Sequence, residues 1–175
     1  MKDFYACAFD DDGKMLEVGK IGQLYLSAPT FMNGYLDGDD PFCHAYGKKW
    51  LKSGDVGYVD EEGYLHFVDR AKRVVKVSGV NVFPSEVERV ISHIDGIAEV
   101  AVVGAADIRK GNKLVAYVVC DEATLDKVKE VCAASLDKWS MPRAYVRLPA
   151  LPRNAMGKVD YASKVFASGD TKTED

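Results

Sequence analysis

A few residues in this chain have the type and setting to do chemistry. Lys158 follows a run of turn formers, Pro149, Pro152, Asn154 and Gly157. That setting predicts an exposed, mobile loop tip carrying a compact positive charge on a long flexible stem. Such a cation can offset negative charge that develops during a reaction, although a single lysine after a turn is by default an ordinary surface residue. Asp55 follows Trp50-Leu51-Lys52-Ser53-Gly54. On pattern alone Gly54-Asp55 reads as a turn. As a ligand, an ionised carboxylate offers acceptors only and suits a pair of hydroxyl donors. Arg70, Lys72, Arg73 and Lys76 form a basic cluster. Isolated charges of this kind are most simply solvated, and no stacking aromatic beside them supports an RNA site. Gly79, after Ser78, reads as a strand-end turn needing backbone freedom. His44, His66 and His93 compose no metal or acid–base cluster, and His66 reads as a strand surface residue. No strand–loop–helix phosphate cradle is visible anywhere.

The elements that must position these groups change character along the chain. Phe4 to Phe9 and Gly22 to Ser27 read as strands, with Asp10 to Lys14 as a turn and Phe31 to Leu36 as a short third segment. Gly57 to Asp60 and Tyr64 to Val68 form a hairpin around Glu61-Glu62-Gly63. Together these predict a small β-barrel whose core is Phe4, Tyr5, Phe9, Tyr25, Phe31, Tyr35, Tyr58, Tyr64 and Phe67. After the charged joint Asp69 to Arg73 comes a β-branched run, Val74 to Val77. Pro84 then opens a helix, and Ser85 with Glu88 spells a capping box. That helix, Ser85 to Ile94, places Val87, Val90, Ile91 and Ile94 on one face. Ala98 to Gly104 and Lys113 to Cys120 read as buried strands around a polar loop, 105–111. Thr124 is the expected N-cap of a second helix ended by Pro142, and Ala144 to Leu148 is a third strand.

The 175 residues allow one domain, or a small domain with part of another. A net charge of -4 argues against nucleic acid, no apolar run is long enough to span a bilayer, and the start lacks a signal peptide's apolar core. Cys7, Cys43, Cys120 and Cys132 are scattered with no paired spacing, which predicts reduced thiols and a cytoplasmic location.

Three segments, in order, carry a resemblance. Trp50 to Asp55 looks like the ribose-binding motif of the adenylate-forming ligases, the superfamily of acyl-CoA synthetases, luciferases and peptide-synthetase adenylation domains. Asp69 to Glu88 resembles that superfamily's hinge and the motif after it. Leu151 to Lys158 resembles its terminal lysine loop. The resemblance runs from about Phe4 to about Val165 and is specific because three patterns coincide. It implies that Lys158 is catalytic, that Asp55, Arg70, Lys76 and Asn81 contact nucleotide, that Lys72 is the hinge, and that Ser78 and Gly79 line the CoA tunnel. It implies no metal ligand. The family often has glutamine at the position of Asn81 and a basic residue soon after the lysine, where this chain has Val159-Asp160-Tyr161.

The expected fold class is α+β. A β-barrel-like subdomain, the end of a large N-terminal adenylation domain, spans 1–69. A hinge spans 70–73, and a mobile α/β lid with a three-stranded sheet and flanking helices spans 74–166. The tail, 167–175, is expected to be disordered. The resemblance implies ATP or AMP, Mg2+ and CoA as the complete enzyme's ligands, with none bound to this chain alone. It also implies a carboxylic acid substrate and a missing N-terminal partner. The alternative is a non-catalytic module that complements a separate N-terminal domain or self-associates, as a homodimer through exposed β surface.

Overall fold

The computed structural model describes residues 3–36, 38, 40–107 and 111–167. The chain divides into two compact units, Met1–Lys72 and Arg73–Asp175.

The first unit is a curled, antiparallel five-stranded sheet. Its strands are β1 (Tyr5–Phe9), β2 (Gly22–Ser27), β3 (Phe42–Ala45), β4 (Lys48–Val59) and β5 (Leu65–Arg70). The long β4 organises it. β2 pairs along one edge of β4, while β3 and β5 share the other edge at opposite ends. Two turns use one device. Asp10 accepts from the backbone N–H groups of Asp12 and Lys14, and Asp60 accepts from those of Glu62 and Tyr64. These are side-chain-stabilised turns of the kind aspartate favours.

The core of this unit is smaller than the aromatic content suggests. Phe9 stacks on Tyr25 at 4.3 Å and meets Trp50 edge-on at 5.5 Å. Trp50 is buried and donates from Nε1 to the Ala45 carbonyl. Of the expected core, Phe4, Tyr5, Tyr35, Tyr64 and Phe67 are instead exposed. Strand alternation puts only one face of this sheet on the Phe9–Trp50 cluster. The expected segment at 31–36 forms no strand; Phe31 packs on the Phe42 ring at 5.7 Å.

The second unit starts with a hairpin, β6 (Val75–Val77) and β7 (Val80–Val82). The turn residues Ser78 and Gly79 both have positive φ, 51° and 84°. That is the two-residue turn whose twist matches a β-ribbon, and glycine is the natural second residue. Sequence reading ended the strand here and missed β7. Helix α1 (Pro84–Ser92) follows, then β8 (Glu99–Asp107), β9 (Gly111–Val119), α2 (Glu122–Ser135), β10 (Ala144–Arg147) and a short α3 (Lys164–Ala167). The sheet order is β10-β9-β8, with β8 antiparallel and β10 parallel to β9.

Both faces of this sheet are covered, which accounts for its unbroken apolar runs. Val102, Leu114, Ala116 and Val118 face Val87 and Ile91 of α1 and Val128 and Cys132 of α2. Ala101, Val115 and Tyr117 face Leu151 and Phe166. The segments that flank Lys158 therefore supply the second core.

Both helix caps differ from the sequence reading. Phe83 occupies the N-cap of α1 and makes no side-chain cap hydrogen bond, so Ser85, the expected cap, lies inside the first turn. Asp121, not Thr124, caps α2, its carboxylate accepting from the Thr124 N–H at 2.8 Å. A carboxylate three residues ahead meets the free amides at a helix start, and it adds a favourable charge there. α2 ends at Ser135, well before Pro142. The strand β8 extends into the expected loop at 105–111, of which 108–110 lie outside the described residues. Of the expected disordered tail, Ala167 ends α3 and 168–175 lie outside them. The four cysteines are free, and burial pushes the Cys132 thiol up. Among the described residues no helix is long and apolar enough to cross a membrane.

Candidate functional site

The candidate residues fall into separate clusters, each built by its own unit. In the first unit, β4 advances four residues, Lys52 to Val56, while β2 advances two, Tyr25 to Gln23. The excess is a bulge at Ser53-Gly54-Asp55. Gly54 takes φ +77°, a left-handed conformation that glycine adopts without penalty. Ser53 stabilises it by donating from Oγ to the Leu24 carbonyl at 2.7 Å and accepting from the Asp55 N–H at 3.1 Å. The expected turn is thus a bulge inside a continuous strand. Bulges re-aim side chains beside functional sites.

The bulge sets Asp55 directly across from Arg70 on β5. Arg70 Nη1 lies 2.7 Å from Asp55 Oδ1, close enough for charge attraction but out of hydrogen-bond alignment. Oδ1 is sealed from solvent, and among the described residues no donor satisfies it. A shielded acceptor without a donor is uncommon in native structures and calls for an explanation. The Asp55 side chain as a whole is 27% exposed, so a ligand can reach the carboxylate on its open side and not at Oδ1.

In the second unit, the β6–β7 hairpin pairs Lys76 with Asn81 directly across the ribbon. Val75, Val77 and Val82 point into the core, while Lys76 and Asn81 are exposed. Asn112 donates to the Lys76 carbonyl at 3.0 Å and steadies the hairpin. A Cβ added at Gly79 would meet nothing within 4 Å. The turn, rather than crowding within this chain, is what calls for glycine there. Lys72 is exposed within a single 3-10 turn, Ala71–Arg73, directly after β5.

Lys158 is exposed, but its backbone is not loose. Its N–H donates to Asn154 Oδ1 at 3.1 Å, and its carbonyl accepts from the Asn154 N–H at 2.8 Å. The Met156 N–H donates to the same Asn154 oxygen, and Arg153 donates to the Gly157 carbonyl. Arg153 also ion-pairs with Glu99 at the start of β8. The expected mobile tip is a pinned loop, and the freedom lies in the lysine side chain.

His66 sits on the surface, 2.6 Å from Asp60 and stacked on Tyr58. Its hydrogen bond holds the Asp60 carboxyl below the usual carboxylate range. Among the described residues no group of side chains could hold a metal ion. Sequence reading missed Glu88 as an organising carboxylate. Its only signal was a glutamate in the first turns of a helix, which the capping pattern absorbed.

Residues 86–158 match the family model of the AMP-binding enzyme C-terminal domain. Residues 86–158 thus carry the AMP-binding enzyme C-terminal domain, and the chain is similar to adenylate-forming enzymes well beyond them. The chain is 33% identical over 145 residues to the 2-succinylbenzoate–CoA ligase of Listeria innocua, covering 82% of this chain and 31% of that protein. It is 34% identical over 151 residues to the long-chain-fatty-acid–CoA ligase FadD13 of Mycobacterium tuberculosis, covering 85% and 30%. Among solved structures it matches o-succinylbenzoate CoA synthetase from Bacillus subtilis, in complex with an acyl-adenylate intermediate. That match has a TM-score of 0.78 and 31% identity, and covers 91% of this chain and 33% of that one. The chain therefore spans about a third of the length of the relatives it matches.

Proposed function

We propose that this chain is the C-terminal part of an AMP-forming acid–CoA ligase. In the first step a carboxylate oxygen attacks the α-phosphorus of ATP. The bond to the pyrophosphate leaving group breaks, giving an acyl-adenylate and pyrophosphate. In the second, the thiol sulfur of CoA attacks the acyl carbon, AMP leaves, and the thiol proton passes to solvent.

The observation that carries this reading is the Asp55–Arg70 pair, which the bulge sets face to face across β4 and β5 with 27% of the Asp55 side chain still open. A ribose hydroxyl donates to the open side of the carboxylate, and Arg70 beside it balances the carboxylate or reaches a phosphate. Lys158 supplies the first step with a cation on a pinned backbone and a free stem. Charge compensation and positioning dominate phosphoryl and nucleotidyl transfer. Lys76 and Asn81 contact the adenylate, and Ser78 and Gly79 border the pantetheine path. Lys72 is the pivot that exchanges the lysine loop for the hairpin between steps. Among the described residues no cluster of His, Cys, Asp or Glu would hold Mg2+, which, bound with the ATP phosphates, would offset their charge. The relatives' named acids run from 2-succinylbenzoate to long-chain fatty acids, so the reading commits to a carboxylic acid. A cytoplasmic enzyme of acyl or fatty-acid metabolism fits it.

The second reading is a module that complements a separate N-terminal domain without catalysis, or a self-associating homodimer. It is favoured by apolar exposure on the first unit, including Tyr35, Leu36, Tyr64 and Phe67. ATP–pyrophosphate exchange separates the two. The chain is assayed alone and fused to the N-terminal portion of the Listeria innocua ligase. Exchange in the fusion, lost on Lys158→Ala, supports the ligase; a soluble, folded fusion without exchange refutes it.

A further inference from the structure

Glu88 carries an arrangement that the ligase reading does not use. Its Oε1 accepts from Arg73 Nη2 at 2.6 Å, from the Val102 backbone N–H at 2.8 Å and from the Tyr161 hydroxyl at 3.2 Å. The Arg73 guanidinium also lies over the Tyr161 ring, 4.1 Å from its centroid. Side-chain exposure is only 21% for Arg73 and 15% for Glu88, so this pair is not a loosely solvated surface contact. A pair this shielded, with a charge-assisted hydrogen bond at close range, is a directional contact that ties its two segments together.

The three donors come from places that matter to each other. Arg73 is the first residue of the second unit and the next residue after Lys72. Val102 lies in the central part of β8. Tyr161 is three residues past Lys158. At the other end of the loop, Glu99 pairs with Arg153 and accepts from the Leu151 N–H at 3.4 Å. Two carboxylates, on α1 and on β8, thus hold the exit and the entry of the lysine segment.

We infer that Arg73, Glu88 and Tyr161 form a positioning clamp. It fixes the backbone just after the pivot to the exit of the lysine loop, so that rotation about Lys72 carries Lys158 as part of a rigid body. This rests on the ligase reading for the role of Lys158, but not for the clamp itself. Glu88 and Tyr161 touch no substrate; they act through the loop. Tyr161 takes part with a hydroxyl that accepts no charge of its own, so Tyr161→Phe removes one bond and keeps the ring under Arg73.

Two measurements test the clamp. In the fusion described above, Glu88→Gln lowers the pyrophosphate-exchange kcat about tenfold, the size expected for losing charge-assisted hydrogen bonds. The KM values for ATP and acid stay unchanged, and Tyr161→Phe gives a smaller loss of the same kind. In a Lys158→Ala background Glu88→Gln adds no further loss, as expected when one residue acts through the other. A rise in KM, or a full additional loss in that background, overturns the inference. Amide hydrogen exchange on the chain itself gives the second measurement. Glu88→Gln speeds exchange at Asn154, Lys158 and Asp160 while Val115 to Val118 of β9 keep their protection. Uniform loosening across both, or no change at the loop, overturns the clamp. If the wild-type fusion shows no pyrophosphate exchange, the ligase reading fails and the hydrogen-exchange result still decides the clamp.

Discussion

The two units are built from similar residues but reach different degrees of closure. In Arg73–Asp175 the sheet is covered on both faces, and Val102, Val115, Ala116 and Val118 are wholly buried. In Met1–Lys72 the buried cluster centres on Phe9, Tyr25 and Trp50, while Tyr35, Tyr64 and Phe67 stay more than half exposed. One unit holds a self-sufficient core, and the other carries apolar surface that its own strands do not cover. A sheet with one open apolar face is stabilised by whatever packs on it.

Separating the units gives the largest expected effect. Residues 73–167 alone unfold in a single cooperative urea transition, whereas 3–72 alone show none or aggregate. A sharp transition for 3–72 breaks the comparison. Point substitutions sharpen it. Ile91→Ala in the second core costs about 2–5 kcal/mol by urea denaturation. Phe67→Ala, at 57% exposure, changes stability by less than about 0.5 kcal/mol. At the level of function, Lys158→Ala lowers pyrophosphate exchange in the fusion by roughly a hundredfold or more while leaving the melting temperature alone. Asp55→Asn keeps shape but loses charge, and weakens ATP binding to the fusion about tenfold by equilibrium dialysis.

The smallest effect is in pH dependence, and each unit offers a carboxylate that is held low. Asp121 is held below its usual 3.8 chiefly by the Thr124 hydrogen bonds, and Asp60 chiefly by its bond to His66. A lowered native pKa means the ionised form stabilises the fold. That contribution is complete above 3.8 and disappears as pH falls through the lowered value. Asp121→Ala should therefore lower the melting temperature at neutral pH, with the gap closing as the solution is acidified below this range. A gap that widens in acid contradicts the assignment.

Much of this was legible in the residues. The order β8, β9, α2, β10 in the second unit followed from its apolar runs, because a sheet covered on both faces needs no alternation. The turns at Asp10 and Asp60 followed from Asp and Gly chemistry. The candidate site was legible only as short motifs, and the residues named from them were Asp55, Arg70, Lys72, Lys76, Ser78, Gly79, Asn81 and Lys158. Local patterns misled where a tertiary partner outbid them. Ser85 and Glu88 have capping-box spacing, yet Glu88 turns to Arg73, Val102 and Tyr161, which lie far off in the chain. The aromatics of the first unit looked like core because composition does not say which face of a strand is covered.

Sequence alone therefore determined β1, β2, α1 and the strands β8 to β10, with the order of the motifs and the family resemblance, since these depend on residue type and near-neighbour spacing. Tertiary structure decided that Ser53-Gly54-Asp55 is a bulge, that Asp55 meets Arg70, and that Glu88 gathers three donors. Each of these depends on strand register or on segments many residues apart. Contacts of that kind are fixed by how the backbone closes, and no local pattern encodes them.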